Sequence, residues 1–259
     1  MLAGPIVEFE KVAFCYGGVE VLHSLSLALH KGEIVGLLGP NGAGKTTTIK
    51  IIAGILAPAA GRVSVCGLPL PERAVSVKER IGYVPEAAVL FESLTGQEFL
   101  ELTGRLHDVG EDTLQTRMRS ILETFGLYSD RVSRLDTYSK GMRQKILIAA
   151  ALLHDPEVVI LDEPFSGLDI NSCLVMRRLM QSLAAAGRTV LFSSHDLETV
   201  EKVCSSVVIL HRGKVVASGS VAELRALMHL PNLEEIFAQL VCKQDGGAVV
   251  SGFVQAMRL

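Results

Sequence analysis

With 259 residues and 49% hydrophobic content, the chain can bury a sizeable core in one large domain or two small lobes. Its charges nearly cancel, to a formal net charge of -3, so no basic footprint points to nucleic acid and no nucleic-acid partner is expected. Five scattered cysteines (Cys15, Cys66, Cys173, Cys204, Cys242) make no CxxC pair and seven histidines show no metal-ligand spacing, which predicts idle thiols in a reducing compartment.

Residues 6–15 alternate apolar and polar as a strand does, and 21–29 read as another, closed by the turn His30-Lys31-Gly32-Glu33. Ile34 to Leu38 is a short apolar run with a glycine exit, the habit of a buried parallel strand. From Lys45 to Ile55 the spacing of Ile49, Ile52 and Leu56 predicts a helix. Residues 88–156 differ: 98–107, 114–125 and 140–153 all read as helices, with no strand among them. Alternation resumes with strand 158–161, helix 172–186, strand 189–193, helix 196–204 and strand 206–210. Residues 215–217 pair with that last strand as an edge hairpin, and helix 220–228 follows. The pattern is an α/β core interrupted by an all-helical insertion. Residues 233–241 add a further helix, and the tail after Lys243 carries no period and is expected to be mobile. The N-terminus has no secretory pattern, and the longest apolar run, Ile146 to Leu153, falls far short of the roughly 18 residues that span a bilayer. The chain is not expected to cross a membrane itself.

Gly39-Pro40-Asn41-Gly42-Ala43-Gly44-Lys45-Thr46 matches GxxxxGK[ST] between a predicted strand and a predicted helix. Glycines let the backbone curl so that successive N–H groups face phosphate oxygens, and the helix end adds about half a positive charge there. Lys45 is placed to reach the β- and γ-phosphates and the Thr46 hydroxyl to ligate Mg²⁺, with Thr47 a further phosphate contact. The second element is Val158-Val159-Ile160-Leu161-Asp162-Glu163-Pro164, a buried strand that ends in two carboxylates. Such a pair alone is usually a solvated turn. Beside an intact phosphate loop, Asp162 becomes a candidate Mg²⁺ ligand and Glu163 the group that orients or deprotonates the attacking water.

A third segment, Tyr138-Ser139-Lys140-Gly141-Met142-Arg143-Gln144-Lys145, starts a helix for which Ser139 is a good N-cap. It resembles the signature segment of ATP-binding-cassette (ABC) proteins, whose usual form is LSGGQ followed by a basic residue. Ser166-Gly167-Leu168-Asp169 and His195 fall where that family has its later motifs, and Tyr16 where it has an aromatic that stacks on adenine. The resemblance runs from residue 5 to about 230.

It implies an α/β P-loop NTPase (RecA-like) core with an antiparallel β subdomain and an inserted α-helical subdomain. The ATPase domain would cover 1–230, with the insertion at about 88–156, and a C-terminal helix and tail would cover 231–259. It further implies that two such subunits, alike or different, meet head to tail around two Mg-ATP. Ser139 and Gly141 would then face the γ-phosphate of the opposite site, Asp169 would organise the interface, and His195 would steady the attacking water. The chain departs from the family form at Lys140 and Met142, and at Glu86 in Tyr83-Val84-Pro85-Glu86, where glutamine is usual. Glu86 keeps an oxygen for the metal and nucleotide but adds a charge near Glu163. Both departures resemble the branch that serves ABC-2 type exporters. The resemblance therefore implies an ATP-hydrolysing subunit that drives a separate membrane-spanning permease, held through it at the cytoplasmic face of the cell membrane. An ABC ATPase acting as a mechanical clamp without transport is the alternative, and such relatives usually carry paired cassettes, heptad insertions or basic arms. A small-molecule kinase on the same loop would leave the signature segment unexplained.

Overall fold

The computed structural model describes residues 4–87 and 90–242. The expected tail after Lys243 lies outside the described residues. The chain opens with the antiparallel pair β1 (Val7–Tyr16) and β2 (Val19–Leu29), then crosses to β3 (Ile34–Leu38) and α1 (Lys45–Ile52). It returns through β4 (Ala60–Val65) and β5 (Leu68–Leu70), which complete a four-stranded antiparallel sheet ordered β2-β1-β4-β5. A short helix α2 (Ala74–Lys78) leads to β6 (Ile81–Val84), and the insertion supplies α3 (Gly96–Leu106), α4 (Glu111–Thr124) and α5 (Lys140–Leu152). The remainder alternates: β7 (Val158–Leu161), α6 (Ile170–Ala185), β8 (Thr189–Ser193), α7 (Leu197–Val203), β9 (Ser206–His211), β10 (Lys214–Gly219), α8 (Val221–Met228) and α9 (Leu233–Phe237). The second sheet runs β10-β9-β3-β8-β7-β6, parallel throughout except for the antiparallel edge strand β10.

The apolar runs of the parallel strands are explained by two cores, one on each face. In β7, Val159 and Leu161 pack with α5, α6 and the insertion. Their neighbours Val158 and Ile160 pack with α1 and the antiparallel sheet. A strand covered on both sides has no polar face to show, hence its continuous hydrophobicity. Leu233 and Ile236 of α9 join the first core.

Three strands had no counterpart in the sequence pattern. β4 buries only Val63 and Val65 among six residues, and its first three are exposed. β5 has three residues. β6 is four residues long and is sheltered by pairing with β7. Strands this short gain their order from neighbours, not from a local period. Helix α1 stops at Ile52, short of the expected Ile55, because Gly54 turns left-handed at φ +62. Helix α3 starts at Gly96, two residues early. Thr95 and Glu98 form a capping box, with the Glu98 N–H donating to Thr95 Oγ1 at 3.1 Å and the Thr95 N–H to Glu98 Oε2 at 2.8 Å. No helix among the described residues is long and apolar enough to cross a membrane.

The insertion meets the core at a stacked histidine pair. His107 caps the C-terminal end of α3 and His154 follows α5, their rings 3.8 Å apart and 9° from parallel. His154 Nε2 donates to the Ile81 carbonyl on β6 at 2.9 Å. Burial holds His107 below the usual histidine range, against the opposing fields of Glu79 and Asp108. Burial also lowers His154, helped by His107 and Arg117 and opposed by the Ile81 bond and Asp155. The unfolded chain therefore takes up these protons more readily than the folded one. The stability this pair contributes is fully present above the ordinary histidine value of about 6.5 and declines as pH falls through the lower folded values. Urea midpoints should fall between pH 7.5 and pH 5.5, with a shallower slope in His154→Phe; identical slopes in the two proteins would remove the pair from the account.

Candidate functional site

The site is built where β3 ends. Gly39 has φ +155, and a Cβ there would sit 2.4 Å from the Leu210 carbonyl oxygen. Gly44 has φ +103, with a Cβ position 2.6 Å from Leu22 Cδ2. Only glycine fits either place without a shift. The Ala43 N–H donates to the Pro40 carbonyl at 3.1 Å, and the Gly213 N–H donates to the Ala43 carbonyl at 3.1 Å, so the loop is tied both to itself and to the turn after β9. Helix α1 begins at Lys45 with no side chain capping it and no acid in its first turn. The helix end therefore attracts an anion, and nothing in the helix's own first turn opposes it.

Lys45 Nζ donates to the carbonyls of Gly39 at 2.7 Å and Pro40 at 3.2 Å, so the ammonium lies across the loop. Burial lowers its pKa, while the fields of Glu163, Asp162 and Glu86 partly oppose that shift. Among the described residues that line the pocket, the lysine is thus the cation facing three carboxylates. That pocket, of about 510 Å³, is lined by residues 40–47, Val21, Glu86, Asp162, Glu163, Ser166 and His195. Its size is that of a drug-sized ligand site.

Strand β7 delivers the two acids to different surroundings. Asp162 is 2% exposed and accepts from Ser193 Oγ at 2.5 Å. The same Ser193 hydroxyl accepts the Glu163 N–H at 2.8 Å. One hydroxyl at the end of β8 therefore fixes both carboxylate residues. Ser193 was not among the residues singled out from the sequence; a small hydroxyl at the end of the neighbouring strand was the only cue. Glu163 has φ +50, a conformation that costs a non-glycine residue about 1–3 kcal/mol and often marks a functional turn. Its side chain is 14% exposed, and Oε2 accepts from His195 Nδ1 at 2.9 Å. The His195 side chain is 80% exposed, lines the pocket and is held to Glu163 by this bond.

Most of the expected residues thus meet in one cavity; Gly39, at the base of the loop, does not line it, and four others lie elsewhere. Tyr16 stands at the end of β1, 46% exposed and edge-to-face with Phe14 at 4.8 Å, and Val21 takes a place on the pocket wall instead. Ser139 caps α5, its Oγ accepting the Met142 N–H at 3.3 Å, with Gly141 in the helix's first turn. Asp169 caps α6 through the Ser172 N–H at 3.0 Å and the Ser172 hydroxyl at 2.6 Å, and these bonds hold its carboxyl below the usual range. Ser139 and Asp169 are exposed.

Comparison with known proteins agrees with this geometry. A family described as "ABC transporter" matches residues 22–166. An uncharacterized ABC transporter ATP-binding protein of Synechocystis is 44% identical over 80% of this chain, and the match spans 58% of that relative's own length. The Nod factor export ATP-binding protein I of Cupriavidus pinatubonensis is 36% identical over 85% of this chain and 67% of its own. A solved ATP binding subunit of an ABC transporter superposes with a TM-score of 0.87 at 35% identity, covering 91% of this chain and 99% of that one. The family's ATPase cassette is the fold found here, and the chain belongs to the ATP-binding subunits of ABC transporters.

Proposed function

We propose that this chain binds Mg-ATP and hydrolyses it to drive a separate permease, in export. The observation that carries the reading is the convergence of the phosphate loop, Asp162 and Glu163 on one pocket. The 39–44 loop wraps the phosphates with those backbone N–H groups that remain free, Pro40 having none, and Lys45 exchanges its loop carbonyls for β- and γ-phosphate oxygens. Thr47 adds a hydroxyl, and Tyr16 offers its exposed ring to the adenine.

Thr46, Asp162 and Glu86 present hard oxygen donors, which suit Mg²⁺. Among the described residues no cluster of three or more His, Cys, Asp or Glu forms a metal cage. A few protein oxygens completed by phosphate and water are the usual Mg²⁺ arrangement, so the residues fit the ion. Bound with the nucleotide, it supplies charge neutralisation on the phosphate oxygens. Glu163 takes the proton from the attacking water as the new bond to the γ-phosphorus forms and the bond to the bridging oxygen breaks. His195 holds the second Glu163 oxygen and so aims the first. Ser193 keeps both acids in place.

Ser139, Gly141 and Asp169 sit outside the pocket at the starts of two helices, as expected of parts that complete a second subunit's site. Ile170, 82% exposed beside Asp169, adds apolar surface for that contact. Whether the two subunits are alike or different, ATP bridges them. A groove of about 340 Å³ between the insertion and β6, lined by Ile55, Tyr83, Phe99 and Leu147, suits a short cytoplasmic helix of the permease. That partner places the chain at the cytoplasmic face of the membrane, within an ATPase domain spanning 1–230. Similarity to a Nod factor export subunit favours outward transport. Affinity purification of the chain from detergent-solubilised membranes should bring down a multi-spanning protein; its consistent absence would remove the transport reading.

A further inference from the structure

Glu86 and Lys140 are two of the places where this chain departs from the motif forms it otherwise follows, and the fold brings both to the wall of one cavity. That cavity, of about 440 Å³, adjoins the nucleotide pocket, with Glu86 and Ser166 lining both. Lys140 is the first residue of α5, a 13-residue helix with no acid in its first turn. A cation at the amino end of a helix is repelled by the partial positive charge there, so its presence calls for a compensating partner. The neighbouring Arg143 is already committed, to Glu92 at 2.7 Å and to the carbonyls of Asp136 at 3.0 Å and Tyr138 at 3.1 Å. The end of the Lys140 side chain instead lies against Gly167, where an added Cβ would come within 2.9 Å of Cδ and Cε and 3.0 Å of Nζ. The side chain therefore runs beside the loop that follows Glu163.

Glu86 presents the opposite problem. It brings a third carboxylate to a pocket that holds Asp162 and Glu163, and its field reaches Lys45. Unbalanced, that charge opposes a polyanionic ligand. Among the described residues no direct ion pair joins Glu86 to Lys140, so any coupling runs across the cavity. We propose that Lys140 is a positioning residue that acts through Glu86, its ammonium offsetting the extra carboxylate so that Glu86 can serve the nucleotide site without making it more negative. The proposal rests on the ATP reading given above.

A double-mutant cycle on the full chain tests it. Wild type, Lys140→Gln, Glu86→Gln and the double variant are compared by calorimetric Mg-ATP affinity, and by kcat and KM across a Mg²⁺ titration. Thermal unfolding checks that all four fold. Lys140→Gln is expected to weaken Mg-ATP affinity about fivefold to tenfold and to raise the Mg²⁺ needed for turnover, the size of a coupling between nearby charges. In the Glu86→Gln background the same change should cost less than about twofold, and Lys140→Arg should restore the wild-type behaviour. Equal losses from Lys140→Gln in both backgrounds would overturn the pairing, because a role in the helix end or in subunit contact does not depend on the Glu86 charge. A wild type that neither binds nor hydrolyses ATP removes the ATP reading and the proposal with it. A wild type that binds ATP but shows no coupling removes the pairing alone.

Discussion

Glu163→Gln is expected to abolish turnover while leaving ATP binding intact and trapping an ATP-bound dimer. The amide keeps the size and the hydrogen-bonding reach of the carboxylate, so the Ser193 bond to the 163 backbone and the left-handed turn should persist. What disappears is the proton acceptor. Removing a general base typically costs 10²–10⁴-fold, so the rate of phosphate release should fall by at least about a hundredfold. With hydrolysis blocked, the triphosphate stays between the subunits and continues to bridge them. Sizing chromatography with ATP should show a species of twice the monomer mass, and only monomer under those conditions would break the sandwich model. Undiminished phosphate release would instead show that another group activates the water.

Lys45→Ala should carry the largest loss in nucleotide affinity. The ammonium faces Glu163, Asp162 and Glu86 from a half-buried position, and it is the cation nearest the loop. Its removal deletes a charge-assisted phosphate contact and leaves three carboxylates unopposed around an incoming polyanion. The lost bond alone costs on the order of 2 kcal/mol or more, about 30-fold in Kd, and carboxylate charge no longer offset by Lys45 adds to it. Calorimetric titration with Mg-ATP reads this directly. Affinity equal to wild type would place the phosphates somewhere other than the 39–46 loop.

The two variants probe different links in one chain of causes, and they separate cleanly. In the proposed mechanism Lys45 acts on binding through charge and Glu163 on turnover through proton transfer. A binding loss in Glu163→Gln comparable to that in Lys45→Ala would mean the two groups share one role, against the geometry in which Lys45 lies across the loop and Glu163 bonds His195.

Much of this molecule could be read before any coordinates. The 39–46 loop is legible because its glycines answer to local backbone demands, and β3, β7 and β8 because a strand buried on both faces must be apolar throughout. The helix start at Ser139 is legible for a similar reason, since a capping side chain satisfies N–H groups only a few residues away, whereas α6 starts at Ile170 behind its Asp169 cap, two residues before the expected 172. Such features depend on neighbours in the chain. Strands β4 and β6 depend on distant partners, β1 and β7, and β5 is a three-residue strand paired with β4, too short to carry a period.

The same division runs through the site. The phosphate loop and the acidic pair Asp162-Glu163 point to phosphate, metal and water by motif and spacing, while the roles expected of Tyr16, Glu86, Ser139, Gly141, Asp169 and His195 came from the family resemblance. That Ser193 holds both acids, that His195 bonds Glu163, that Tyr16 stands off the pocket wall, and that Glu86 shares a cavity with Lys140 are facts of distant segments brought within a few ångströms. A spacing along the chain specifies a turn or a helix end, because those are closed by local hydrogen bonds. A distance across the sheet is set by how two cores pack on its faces, and that is a property of the whole fold.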